Sequence, residues 1–211
     1  MQKHFIIISV IDYPKKKLSY TDTRSVFSVE ERLAQTKQTI ASVEKYAPDA
    51  IVDLVEIGLT DYKAEFSSNM SLSYTYKGGG ALTAWAVRSP FKGLGETLGM
   101  LHAIHRTSFG DFCFKLSGRY ELTENFTKAD WDKESFNFKD SGYGYSTRLY
   151  AFPGKYKIGM YALLLGTLPF LLCNVSIERL YKIVLPKNIL KLQKILGVRG
   201  QIAVDRTYIE E

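Results

Sequence analysis

The chain has 211 residues, 45% hydrophobic and 24% charged, proportions that suit one globular domain with a sizeable core; no fixed-period repeat or long polar tract is present, which excludes a solenoid and extensive disorder. A net charge of +6 suits an anionic partner, whether nucleic acid, a nucleotide diphosphate or an acidic membrane surface, and is too mild to choose among them. The 2 cysteines, Cys113 and Cys173, lie in apolar runs, which excludes a disulfide scaffold and a zinc cluster and fits a reducing, cytoplasmic setting.

The opening "MQKHFIIISVIDYP" reads as a strand over Phe5–Ile11, β-branched throughout and so covered on both faces of a parallel sheet, rather than as an export signal. After a polar loop through Lys15, Lys16, Lys17 and Asp22, Ser28 and Glu31 form a capping box for a helix that ends before Pro48, with Leu33, Thr36, Ile40 and Val43 on one face. "AIVDLVEIG" is a second strand, so the first third is a β-α-β unit. Gly78, Gly79 and Gly80 read as a flexible break, followed by a helix over "ALTAWAVRS" and another over "KGLGETLGMLHAIHRT". "FCFKLS" is a third strand, ending on Gly118, Arg119 and Tyr120, and "STRLYAFP" a fourth, stopped by Pro153. "GMYALLLGTLPFLLC" is too short to span a bilayer and carries Pro169; it reads as a buried helix, with a monotopic membrane contact as the alternative. The tail reads as two amphipathic helices divided at Pro186. The order predicts a single α/β domain over 1–211, a mostly parallel central sheet flanked by helices.

Open α/β sheets bind ligands beyond the carboxyl ends of their strands, where strand order reverses. The polar residues expected there are Ser9 and Asp12 after the first strand, Glu56 after the second, Ser117, Gly118, Arg119 and Tyr120 after the third, and the neighbourhood of Arg148 after the fourth. Converging cations suit a diphosphate, because an arginine fork offers charge-assisted donors in a partly dry cleft and Gly118 allows close backbone approach. Arg119 reads equally as a solvated surface cation, and Tyr120 as a packing residue. In "FKGLGE", Lys92 and Glu96 stand at a helix entrance that could hold an anion, although Gly93 and Gly95 also make a plain turn.

Five stretches in order, "RSVFSVEERLAQTKQTIASVEKYAPDA", "KGLGETLGMLHAI", "FCFKLSGRYEL", "STRLY" and "SIERLY" before "LGVRGQIAV", resemble glycosyltransferases of the GT-A fold, in particular the WavE-like enzymes of lipopolysaccharide and capsule loci and their viral relatives. The resemblance implies a Rossmann-like GT-A domain, with a nucleotide-sugar half over 1–120 and an acceptor half over 121–211. It also implies that "SGRY" stands where many such enzymes hold a divalent metal on an Asp-x-Asp, so that Arg119, helped by Lys92 and Arg148, would quiet the departing diphosphate with no metal or other cofactor required. The literal Asp130-Trp131-Asp132 lies in a charged stretch far past that strand and reads as chance.

Inverting transfer needs a base for the acceptor hydroxyl, and Glu178 at a helix start is the candidate, a dipole-favouring glutamate being the plain alternative. Asp12 and Glu56 would meet the nucleoside. His4, His102 and His105 form no ligand set, and no hydrolase triad is present. The expected partners are a nucleotide-sugar donor, a surface-glycan acceptor and a peripheral membrane contact at the inner face, with no nucleic acid. Two other functions fit less well: a basic nucleic-acid-binding module using Lys15–Lys17, and a sugar-phosphate nucleotidylyltransferase, which would carry a Gly-rich loop where this chain has "SVIDYPKKK".

Overall fold

The computed structural model describes residues 1–14, 16–19, 21–66, 73–78 and 80–211, with 73–78 and Lys92 described by backbone alone. Its framework is a seven-stranded sheet in the order β3-β2-β1-β4-β7-β6-β8. The strands are β1 (Lys3–Ser9), β2 (Ile51–Glu56), β3 (Ser73–Gly78), β4 (Phe112–Ser117), β6 (Phe136–Phe138), β7 (Leu149–Pro153) and β8 (Leu190–Leu192). Strands β3, β2, β1 and β4 are parallel, β7 runs against both of its neighbours, and β6 and β8 point with the first four. The α/β fold with a mostly parallel sheet is therefore the one the sequence predicts. A smaller antiparallel sheet joins β5 (Tyr120–Leu122), β9 (Val198–Gln201) and β10 (Tyr208–Glu210).

Helix α1 (Val29–Tyr46) starts at the expected capping box: Ser28 Oγ accepts from Glu31 N, and the Glu31 carboxylate accepts from Ser28 N. Its Ile40 and Val43 pack on Phe5, Ile7, Leu54 and Phe114 of one sheet face, where Phe5 stacks on Phe114 with centroids 4.8 Å apart. The other face is covered by α4 (Lys92–Ala103), α6 (Lys157–Leu172) and α7 (Ile177–Val184), through Met100, Met160, Leu164, Leu171, Leu180 and Tyr181 against Ile6, Ile8 and Tyr150. Helix α3 (Ala81–Arg88) packs outside α4; α2 (Lys63–Phe66) and α5 (Asn125–Lys128) are single turns.

Three expectations are corrected. Gly78 ends strand β3 and Gly80 caps α3, so neither belongs to a mere break; Gly79 lies outside the described residues. Beyond Pro186 the chain makes one 3-10 turn and then β8, because Leu190–Leu192 finds an open edge beside β6, and only the first of the two tail helices exists. Helix α6 is half-buried: Met160, Leu164, Thr167 and Leu171 face the sheet, while Ile158, Leu165 and Phe170 are exposed.

At the amino end of the sheet, buried His4 lies between two carboxylates, 3.2 Å from Asp111 and 3.1 Å from Asp53, and Arg106 reaches the same Asp53 oxygen at 3.2 Å. This network ties β1 to β2 and to the entry of β4. Removing the imidazole leaves buried Asp53 and Asp111 without that partner, so His4→Ala is expected to cost about 1–3 kcal/mol in urea denaturation, the worth of a buried polar group left unsatisfied. A cost below about 1 kcal/mol would mean that Arg106 alone satisfies Asp53.

Candidate functional site

At the carboxyl rim, β1 and β4 are neighbours at which the strand order reverses, with β2 and β3 on one side and β7, β6 and β8 on the other, the switch that opens a crevice. The end of β4 closes tightly on the end of β1. Gly118 N donates to Ile8 O at 2.8 Å, Gly118 O accepts from the Thr36 hydroxyl at 3.0 Å, and a Cβ on residue 118 would lie 2.8 Å from Ser9 Cβ. The close approach that this glycine permits is thus to Ser9, whose own hydroxyl bonds Thr36 at 2.8 Å.

Arg119 follows directly and divides two connected clefts, which share Glu96, Ser117 and Arg119. The inner cleft, about 800 Å³ with its open mouth, has an apolar wall of Ile8, Val10, Ile57 and Val87 and three guanidinium groups, Arg24, Arg32 and Arg119. The outer cleft, about 1570 Å³ with its mouth, is edged by Tyr120, Tyr143, Ser146, Thr147, Arg148, Asn174 and Glu178.

The inner cleft is electrostatically unbalanced. Arg32, from the buried face of α1, donates from Nε to Val10 O at 3.0 Å and from Nη1 to Gln35 at 2.8 Å. Burial pushes its guanidinium down to about 10, and the nearby Arg119 charge adds to that, against the opposing pull of Glu56. Glu56 is itself buried, accepts from the backbone N–H groups of Ile11 and Gly58, and is raised above the ordinary carboxylate range by desolvation. Arg119 Nε is buried and has no hydrogen-bond partner among the described residues. Arg32 and Arg119 stand close together beside buried Glu56, Glu96 of the same cleft is spent on Lys115, and among the described residues Arg119 Nε keeps a buried donor unspent; such a place favours an anion.

Between the clefts lies a fully buried lysine. Lys115, in mid-β4, pairs with Glu96 at 2.5 Å and donates to Ser117 Oγ at 2.8 Å and to Thr147 O. Burial lowers its ammonium while Glu96 pulls the other way. Thr147 carries the chain of contacts onward, its hydroxyl donating to Glu178 at 3.3 Å. Glu178 sits in the first turn of α7, capped by Ser176.

Arg148 reaches the same rim by a different route from the one expected. It precedes β7 instead of following it, and because β7 is antiparallel its amino end lies beside the end of β4: Ser117 N donates to Arg148 O at 2.9 Å. Its guanidinium bonds Tyr120 Oη at 3.3 Å and Glu211 at 2.8 Å. Tyr120 is a core residue with its hydroxyl toward the outer cleft. Burial acts to raise its phenol, but the charges and hydrogen bonds of Arg119 and Arg148 together outweigh burial and lower it from the ordinary tyrosine value.

Of the residues expected at the site, Glu96, Ser117, Arg119, Tyr120, Arg148 and Glu178 meet around the outer cleft, and Gly118 borders the inner one. Ser9 and Glu56 lie beneath the rim in the packing, and Asp12, accepting from Thr60 at 2.6 Å, lies on a groove that adjoins the inner cleft through Tyr13, Arg24 and Ser25. The Lys92 side chain and Lys15 fall outside the described residues. Gly93 and Gly95 bring α4 against Leu171 and Ile57, 3.0 Å from where a Cβ would stand. Asp130 pairs with Lys191, Asp132 accepts from Glu134 N, and neither lines the inner or the outer cleft.

Arg32, Lys115 and Thr147 were not singled out in the sequence. The first two carried a readable signal: Arg32 falls one turn before Thr36 on the buried stripe of α1, and Lys115 interrupts an apolar strand. The end of β4 offers a hydroxyl and a guanidinium but no carboxylate, a donor set unsuited to a hard divalent cation, and among the described residues no group of three or more His, Cys, Asp or Glu side chains could hold a metal.

No protein-family model and no curated protein matches the chain. Similar solved structures include an inositol-1-phosphate CTP transferase from T. maritima, with TM-score 0.49 and 10% identity over 86% of this chain and 80% of that one. A Francisella tularensis 2-C-methyl-D-erythritol 4-phosphate cytidylyltransferase gives TM-score 0.48 and 11% identity over 84% and 83%. The galactosyltransferase LgtC, in complex with donor and acceptor sugar analogues, gives 0.47 and 9% over 84% and 68%. All three are transferases by name.

The Tyr120 environment can be measured. Tyrosinate absorbance, taken as the difference between the protein and its Tyr120→Phe variant, is expected to place this phenol below an ordinary tyrosine, and Arg148→Gln is expected to raise it, because burial is then less opposed. No change in that variant would mean that the guanidinium does not act on the phenol.

Proposed function

We propose that the chain is a glycosyltransferase that takes a sugar from a nucleoside-diphosphate donor and passes it to a glycan acceptor, with WavE-like enzymes as the family it resembles. The observation that carries this reading is the buried, unpartnered Nε of Arg119 beside Arg32 at the β1–β4 crevice, an arrangement suited to a highly charged anion. The inner cleft, apolar on one wall and lined by three arginines, takes the nucleoside diphosphate, and the outer cleft, edged by hydroxyls and by exposed Tyr143, takes the acceptor.

In this reaction the acceptor oxygen attacks the anomeric carbon as its proton passes to the Glu178 carboxylate. The bond from that carbon to the diphosphate oxygen breaks, and its electron pair leaves with the nucleoside diphosphate. Arg119 donates to the oxygen where negative charge grows, in a site partly shielded from water, where a fixed cation is most effective. Thr147 holds Glu178 toward the acceptor, and the Lys115–Glu96 pair fixes the floor between the clefts. No step is assigned to a metal, because the donor set at the end of β4 does not fit one.

Calorimetric titration with UDP-, GDP- and dTDP-sugars, with and without manganese, tests the donor. One of them is expected to bind, and Arg119→Ala is expected to weaken it by about 1.5–3 kcal/mol, the worth of a charged hydrogen bond, and to abolish transfer. Glu178→Gln should leave donor affinity intact and remove turnover. Folded protein that binds none of the donors, or an Arg119→Ala variant with full turnover, would defeat the proposal.

A further inference from the structure

Helix α6 presents an apolar surface to solvent as well as to the core. From Ile158 to Val175 the chain carries no charged side chain, and Ile158, Tyr161, Leu165 and Phe170 are exposed, Ile158 by 67% and Phe170 by 54%. Ile158, Tyr161 and Leu165 recur at the three- and four-residue spacing of a single outward face. A helix that is apolar all round belongs in a core or against lipid, and this one has a core on one side only. With 16 residues it extends roughly 24 Å at about 1.5 Å per residue, less than the ~30 Å of a hydrocarbon core, and among the described residues no helix is long and apolar enough to cross a membrane.

The charge around this helix is as uneven as its hydrophobicity. Residues 155–194 hold 7 basic side chains and 1 acidic one, Glu178, so this stretch equals the net +6 of the entire chain. Lys155, Lys182 and Lys191 are paired with Glu134, Asp140 and Asp130, and Lys157 donates to Thr107 O. Arg179, Lys187 and Lys194 are exposed and make no ion pair among the described residues. Arg179 and exposed Ile183 share the outward face of α7, which packs against α6.

We propose that α6, with the outward face of α7, docks in the plane of an anionic lipid surface, the apolar side chains entering the headgroup boundary and Arg179, Lys187 and Lys194 meeting lipid phosphates. An amphipathic or apolar surface helix flanked by cations binds lipid by these two contributions together. A second copy of the chain is a poorer occupant, since pairing the same face would bring like charges together. The end of α6 and the start of α7 also line the outer cleft through Leu171, Asn174, Ser176 and Glu178, so a bilayer held along α6 lies beside that cleft.

The test is co-sedimentation of the full chain with vesicles of phosphatidylcholine alone and of phosphatidylcholine mixed with phosphatidylglycerol. Binding is expected to the anionic vesicles and to fall with salt. The variant Leu165→Glu/Phe170→Glu, checked by circular dichroism and melting for an unchanged fold, is expected not to sediment. Arg179→Gln/Lys187→Gln/Lys194→Gln is expected to lose about a hundredfold in partitioning, at roughly fivefold per cation near a charged surface. No sedimentation of the parent at low salt, equal binding by the glutamate variant, or a dimer in solution that the glutamate variant dissociates would each overturn the proposal. The docking does not rest on the transferase reading.

Discussion

The close approach of the end of β4 to the end of β1 governs the site. No side chain fits at residue 118 without displacing Ser9, and the backbone is held there by Ile8 O and by the Thr36 hydroxyl. With residue 118 pinned, Arg119 is the first side chain free to lean over the crevice, and it does so above Arg32 from α1. The antiparallel course of β7 then delivers Arg148 and Thr147 to the same rim, and the capped start of α7 brings Glu178. Residues far apart in the chain meet because one strand runs backward in an otherwise parallel sheet.

That arrangement separates two electrostatic environments by a few residues. On the inner side, Arg24, Arg32 and Arg119 line the wall and Arg119 Nε has no hydrogen-bond partner among the described residues; on the outer side, Glu178 stands among hydroxyls and Arg148 is already neutralised by Glu211. The Lys115–Glu96 pair lies under the boundary, a buried cation whose charge is tolerable only because Glu96, Ser117 and the Thr147 carbonyl all face it. A cation-rich cleft joined to a hydroxyl- and carboxylate-rich one is the physical content of the proposed donor and acceptor sites.

Much of the frame was legible in the sequence because its signals are local. The β-branched run of β1, the Ser28–Glu31 capping box and the apolar "FCFKLS" depend little on distant partners. The short strands β6, β8, β9 and β10 did not announce themselves: three or four residues hold a strand only when a sheet edge is waiting, and Leu190–Leu192 read as part of a second amphipathic helix. At the site, Arg119 and Glu178 could be named from their places at element ends. Ser9 and Glu56 could not be told from ligand contacts, because burial beneath the rim is a tertiary fact. Arg148 was expected at the right rim from the wrong end of its strand, since only pairing reveals direction.

The central claim, that Arg119 and Arg32 receive the phosphates of a nucleotide donor, is tested most directly by a crystal structure with a nucleoside diphosphate, grown with manganese present. The account predicts phosphate oxygens within hydrogen-bond distance of Arg119 Nε and beside Arg32, in the crevice between β1 and β4. Phosphates held elsewhere, or held by a manganese ion on carboxylates with the Arg119 guanidinium turned away, would contradict it.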